Sequence, residues 1–203
     1  MTEINSLAEL RQIYAQPSEL ALKKELDHID KHSRDFISRA PFVLLASADA
    51  AGWPDVSPRG DAPGFVSVVD EKRLHLPDRP GNNRLDSFQN LVANPKIALL
   101  FVVPGRLETL RVNGTARLLR EPELLARHAV AGKPARAIVE ITASNVYFQC
   151  GKALVRSALW QAEKWPSLEG LASFAQALSE QIKGLDRAVS QARLEKAYRE
   201  TLY

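Results

Sequence analysis

Three stretches of different hydrophobic period divide the chain. From Ser6 to about Arg39 apolar residues recur at helical spacing, with Leu22, Leu26, Ile29 and Phe36 on one face. Pro17 suits the first turn of a second helix, where a missing N–H costs nothing. Pro41 biases Ala40 away from the helical region and so ends this segment.

From Phe42 to about Phe148 the pattern is mainly β. Phe42–Ala46 reads as a strand followed by a turn through Ala51-Gly52. Phe65–Val69 and Arg73–Leu76 read as two strands joined by a tight turn at Asp70-Glu71-Lys72. Lys96–Val103 is nearly all apolar, as a strand buried on both faces would be. Over Thr109–Leu118 the apolar positions 110, 112, 116 and 118 alternate with polar ones, and Gly114 interrupts them where a bulge or bend is expected. Arg136–Phe148 reads as a further long strand. Leu85, Phe88, Leu91 and Val92 predict a helix ending at Asn94-Pro95, and Pro122 opens a shorter one through Val130. The last stretch is helical again, with Leu168, Leu171, Ala172, Ala175, Leu178 and Ile182 in register, then Gly184 and a final helix to Tyr203.

Antiparallel-looking strands flanked by helices predict a mainly β fold, a small barrel with helical decoration, in a single domain. Its zones are N-terminal helices over 1–40, a core over 41–160 and C-terminal helices over 161–203. At 203 residues with 45% hydrophobic and 25% charged positions, the composition is that of a globular chain able to bury a core without staples. One Cys excludes a disulfide framework. The longest apolar run, Ile97–Val103, is far below the roughly 18 residues of a membrane-spanning helix. No basic and apolar leader opens the chain, so a reduced, cytoplasmic setting is expected. The net charge of +3 is spread along the chain with acids interleaved, which argues against nucleic acid and for a small anionic ligand.

Several residues could carry chemistry. His28 and His32 stand at i, i+4, a spacing that suits one metal ion, but their charged neighbours favour a solvated helix face, and no metal site is expected. Arg59-Gly60-Asp61 has the form of an adhesion tripeptide and reads more simply as a local loop. Cys150 is placed like a small buried hydrophobe, although Lys152 and Arg156 could activate it. The most informative segment is Leu76-Pro-Asp-Arg-Pro-Gly-Asn-Asn-Arg84, a strand end, a Pro/Gly loop and a helix start. Backbone N–H groups of a first helical turn, with Arg79 and Arg84, suit a phosphate, and Arg59 adds a third cation where its strand lies beside that loop. A structural turn with a capping Asn82 or Asn83 is the plainer alternative.

The order of these pieces resembles the pyridoxamine 5′-phosphate oxidase-related family of flavin mononucleotide (FMN) binding split barrels. Asp78–Arg84 is similar to the loop that holds the FMN phosphate there. Ala93-Asn94-Pro95, Lys96–Phe101 and Glu108–Arg117 follow in the family's order, and the likeness covers about Pro41 to Trp160. Ser57-Pro-Arg-Gly-Asp61 and Cys150–Ser157 resemble an uncharacterised branch. The resemblance implies phosphate contacts from Asn83 and Arg84, supplemented by Arg59. It implies backbone contacts to the flavin from Leu76, Pro77 and Asp78, with Gly60, Asp61, Arg79 and Asn82 around them. It also implies a homodimer in which Glu108 and Thr109 reach the flavin of the other subunit, with Lys152 near the ring. Asn83 replaces the family's Arg, Thr109 replaces its Gln, and the C-terminal Arg/His/Trp stretch that holds pyridoxal phosphate is missing. Those departures point to an FMN-dependent oxidoreductase acting on another small substrate. A flavin or haem carrier or sensor on the same fold is the alternative.

Overall fold

Seven strands form one antiparallel sheet in the computed structural model, which describes residues 3–203. They are β1 (Phe42–Ala48), β2 (Pro54–Gly60), β3 (Ser67–Val68), β4 (Arg73–Pro77), β5 (Lys96–Val102), β6 (Thr109–Leu119) and β7 (Ile138–Gln149). Their order is β2–β1–β5–β6–β7–β4–β3, and β2 and β3 at the two edges are not paired with each other, so the sheet stays open. The expectation of a mainly β fold with flanking helices holds. Around the sheet lie α1 (Leu7–Ile13), α2 (Glu19–Lys23), α3 (Lys31–Arg39), α4 (Asp86–Ala93), α5 (Pro122–Arg127), α6 (Lys152–Ser157), α7 (Phe174–Gln181) and α8 (Arg187–Glu200). Among the described residues no helix is long and apolar enough to cross a membrane.

The core follows the period-2 alternation. Val43 and Leu45 of β1, Leu99 and Phe101 of β5, Leu110 and Val112 of β6, and Val146 of β7 are all buried. The cross-strand register places them on one face. Phe36 and Ile37 of α3 close this core from the side. The register of β6 against β7 shifts at Asn113/Gly114, where the sequence predicts a bulge. A Cβ on Gly114 would stand 2.0 Å from the Thr142 carbonyl oxygen, so only glycine fits. β5 departs from the expectation of burial on both faces: Ala98, Leu100 and Val102 are only half-buried.

The helical zones are more broken than the periodicity implies. Asp30 caps α3 by accepting from the Ser33 amide at 2.8 Å, which restarts the helix. Leu26 does not continue a helix; its backbone pairs with Val146, beyond the point where β4 leaves β7. His28 therefore lies in a turn bonded to Asp27, apart from His32, and no metal-binding cluster exists among the described residues. Leu168 and Leu171, both 72% exposed, precede α7, whose start is fixed by Ser173 accepting from the Gln176 amide. Cys150 is exposed, against the expectation of a buried thiol.

Candidate functional site

The strand that periodicity does not reveal builds one wall of the site. β2 reads Pro-Asp-Val-Ser-Pro-Arg-Gly, and its two prolines and polar alternate positions hide a strand pattern. Pro is tolerated there because β2 is an edge strand. Alternation turns Asp55, Ser57 and Arg59 to the core side, opposite Ser47, Leu45 and Val43. On β2 the face that is apolar elsewhere is thus entirely polar.

The opposite wall is the loop after β4 and the start of α4. Asp78 continues the ladder, its amide donating to the Ala137 carbonyl at 2.9 Å and its carbonyl accepting from the Arg136 amide at 3.2 Å. Its carboxyl is thereby turned into the cleft. Asn83 and Leu85 both have left-handed backbones, φ 60° and 61°. For Asn that is tolerated, whereas for Leu it is an outlier, and the strain sits at the mouth of the cleft. Leu85 occupies the N-cap position of α4 without any side-chain cap, so the first-turn N–H groups are left free to meet a ligand. These walls enclose an open cleft of about 490 Å³, lined on one side by β2 and on the other by residues 78–88, with the exposed Arg136 also in its lining.

Four arginines line this cleft. Arg59 pairs with Asp78 at 3.3 Å and stands over the Phe88 ring at 5.6 Å. Arg79 pairs with Asp61 at 2.9 Å and donates to the His128 carbonyl at 2.8 Å. Arg84 pairs with Asp86 at 2.8 Å. Arg136 donates to the Asn83 side-chain oxygen at 3.1 Å and, among the described residues, has no carboxylate partner. Burial pushes the Asp78 carboxyl above its ordinary pKa, against the pull of Arg59 and Arg136. For Asp61 burial pushes the same way, but hydrogen bonds from Tyr203, the Ala62 amide and Arg79 outweigh it and hold the carboxyl below the usual range.

The residues singled out in the sequence divide into two groups. Arg59, Asp78, Arg79, Asn82, Asn83 and Arg84 line the cleft itself. Gly60 and Pro77 line a smaller adjoining pocket, where Asp61 anchors Arg79. The Leu76 side chain is in the core. Glu108, Thr109 and Lys152 lie outside the cleft. Thr109 is buried in the ladder opposite Gln149, Glu108 pairs with Arg106 at 3.2 Å, and Lys152 begins α6. Arg136, Ser57, Ser87, Asp55 and Phe88 belong to the cleft and were not foreseen as site residues. Ser57 opens the motif Ser57–Asp61, whereas for Arg136 no local pattern signals the role.

The sequence model of pyridoxamine 5′-phosphate oxidase matches residues 29–150, more than half of the chain. The chain belongs to the pyridoxamine 5′-phosphate oxidase family. The matched segment contains every strand and the whole cleft. HupZ from Group A Streptococcus is similar, with 24% identity, 60% of this chain and 94% of that one covered, and a TM-score of 0.49. A Clostridium acetobutylicum protein related to general stress protein 26 is 17% identical, with 59% and 86% covered and a TM-score of 0.46. HutZ, the haem storage protein of Vibrio cholerae, is 12% identical, with 60% and 94% covered and a TM-score of 0.42. No curated protein matches the chain.

Proposed function

We propose that the protein binds FMN in this cleft and works as a flavin-dependent oxidoreductase. The observation that carries the reading is the convergence of Arg59, Arg84 and Arg136 with the uncapped start of α4 around one opening. Free N–H groups at a helix start, with the helix dipole behind them, favour a phosphate. Arg136, which makes no direct ion pair among the described residues, is the cation most available to it, and Arg84 can leave its exposed partner Asp86. The donor set fits a phosphate monoester. The half-buried Phe88 and Ala137 offer apolar surface beside it.

Bound FMN would supply hydride transfer at its ring, while the protein supplies orientation and charge. Asp61 and Tyr203 hold Arg79 in place through the 2.9 Å ion pair and a 2.7 Å hydrogen bond from the Tyr203 hydroxyl to Asp61. The substrate is a small organic molecule or a nicotinamide donor. Haem storage is the second reading for this fold, but the cleft lining contains no His, Cys, Met or Tyr to serve as an axial ligand.

The working form is a homodimer. The outer face of β2, β1 and β5 carries Val56, Pro58, Phe42, Leu44, Leu100 and Val102 in cross-strand register, apolar and only partly covered. A second copy on that face would bury it, and the half-buried Glu108 and the exposed Lys152 would then serve the partner's flavin, with Thr109 holding the strand that Glu108 precedes. An absorption spectrum of the purified protein tests the cofactor. Bands near ~375 and ~450 nm, released on heating as FMN, support the reading. A single band near ~400 nm replaces flavin with haem, and a colourless protein that ignores added FMN overturns both.

A further inference from the structure

We infer that Asp55, Ser87 and Ser57 form a directed hydrogen-bond relay that positions Arg59 for the ligand, although Asp55 itself carries the wrong charge to bind an anion. The inference deepens the flavin reading and rests on it for the identity of the ligand. Ser87, in the first turn of α4, is 2% exposed and donates its hydroxyl proton to Asp55 Oδ2 at 2.9 Å. The hydroxyl oxygens of Ser57 and Ser87 are 3.1 Å apart. A hydroxyl has one proton to give. Because that of Ser87 is committed to the carboxylate, the bond between the serines is donated by Ser57. The oxygen of Ser57 in turn accepts from Arg59 Nε at 3.2 Å.

The direction is therefore fixed along the whole chain, from Arg59 through Ser57 and Ser87 to Asp55. With Nε held, the terminal nitrogens of Arg59 point away from the relay, and Nη1 reaches Asp78 at 3.3 Å on the far wall. The relay also ties the start of α4 to β2, two elements that share no backbone hydrogen bond. It is built from alternate residues 55, 57 and 59 of one strand, which explains why the core side of β2 is polar. Asp55, Ser57 and Ser87 are thus positioning residues, acting on the ligand through Arg59.

Simple charge counting and the relay predict opposite signs for one substitution. Asp55→Ala removes a negative charge from the cleft, so charge counting alone predicts tighter FMN binding. The relay predicts binding weaker by about 3–10-fold, the factor carried by one ordinary hydrogen bond. Ser57→Ala and Ser87→Ala should weaken binding by a similar factor, and Asp55→Asn, whose amide oxygen can still accept from Ser87, by less than about 2-fold. Combined with Arg59→Ala, Ser87→Ala should add almost nothing, since the residue it positions is gone.

The measurement is FMN titration of these variants followed by flavin fluorescence, paired with the 15N–1H signal of Arg59 Nε in the ligand-free protein. That signal should be protected from exchange in the parent protein and lose protection in Asp55→Ala, Ser57→Ala and Ser87→Ala. Tighter or unchanged binding by Asp55→Ala, or an unprotected Nε–H in the parent protein, overturns the relay. A parent protein with protected Nε–H that does not bind FMN overturns the flavin reading and leaves the relay standing.

Discussion

The middle of the sheet and the β2–α4 corner are made from the same kind of strand and put to opposite use. In β5, β6 and the facing part of β7 the inward positions are Leu, Val, Phe and Ile, and the strands are hydrogen-bonded on both sides. In β2 the inward positions are Asp, Ser and Arg, and one side of the strand is free. The first arrangement gains stability from each position through removal of apolar surface from water. The second gains little from burial and retains side chains able to bind charge. The comparison teaches that the same alternation that packs a core can, at a sheet edge, hold a polar constellation in fixed register.

The separation can be tested by substitutions that should affect one region and spare the other. Leu99→Ala, in the middle of the sheet, should cost about 2–5 kcal/mol in urea unfolding, because the fully enclosed site cannot collapse around the gap. FMN affinity of the molecules that remain folded should be unchanged, and a loss of affinity would mean the regions are coupled. Val56→Asp on the outer face should cost the dimer about 3 kcal/mol or more by burying an unpaired charge. Light scattering would then show a monomer, and an unaltered mass would move the interface elsewhere.

Inside the corner, Arg136→Ala should weaken FMN by about 1.5–3 kcal/mol through loss of a charge-assisted hydrogen bond, read by titration. Stability should move by less than about 0.5 kcal/mol, as for an exposed side chain. A stability loss larger than the affinity loss would make Arg136 structural instead. The smallest effect expected is that of Asp78→Asn. Burial raises the carboxyl's pKa in the folded protein, so its ionised form is disfavoured there relative to the unfolded chain. That penalty is absent below the unfolded carboxylate pKa of about 3.9 and fully present above the folded one. Removing the charge should raise the urea midpoint at pH 7, and the gain should fade as the solution is acidified. A gain that persists in acid would assign the effect to something other than the charge.

The two regions also differed in how legibly the sequence announced them. β6 is legible from alternation and its bulge from Gly114, while β1 and β5 are legible as short, nearly continuous apolar runs and β7 as a long β-rich segment. β2 was hidden because Pro54 and Pro58 mimic loop residues and its inward face lacks apolar positions. Val92 reads as part of an apolar helix face yet is 79% exposed, while the buried contact falls on Ser87 and Leu91. Ser87 faces the cleft, where its hydroxyl meets Asp55 and Ser57, at a position a core helix would give to an apolar residue. The loop from Asp78 to Arg84 could be singled out because Pro, Gly and Asn punctuate it. Arg136 could not, since it reaches the cleft only through the pairing of β7 with β4, a contact between positions far apart in the chain.

The open edge between β2 and β3 has a mechanical consequence. Every other junction in the sheet is a backbone ladder, but across this gap the charged pairs Arg59–Asp78 and Arg79–Asp61 link the β2 side to the segment after β4. A ladder parts only when many bonds break together, whereas two ion pairs can part singly. The molecule therefore has a built-in line of easy opening beside its ligand cleft, and a phosphate group gripped from both walls would act as the fastener across it.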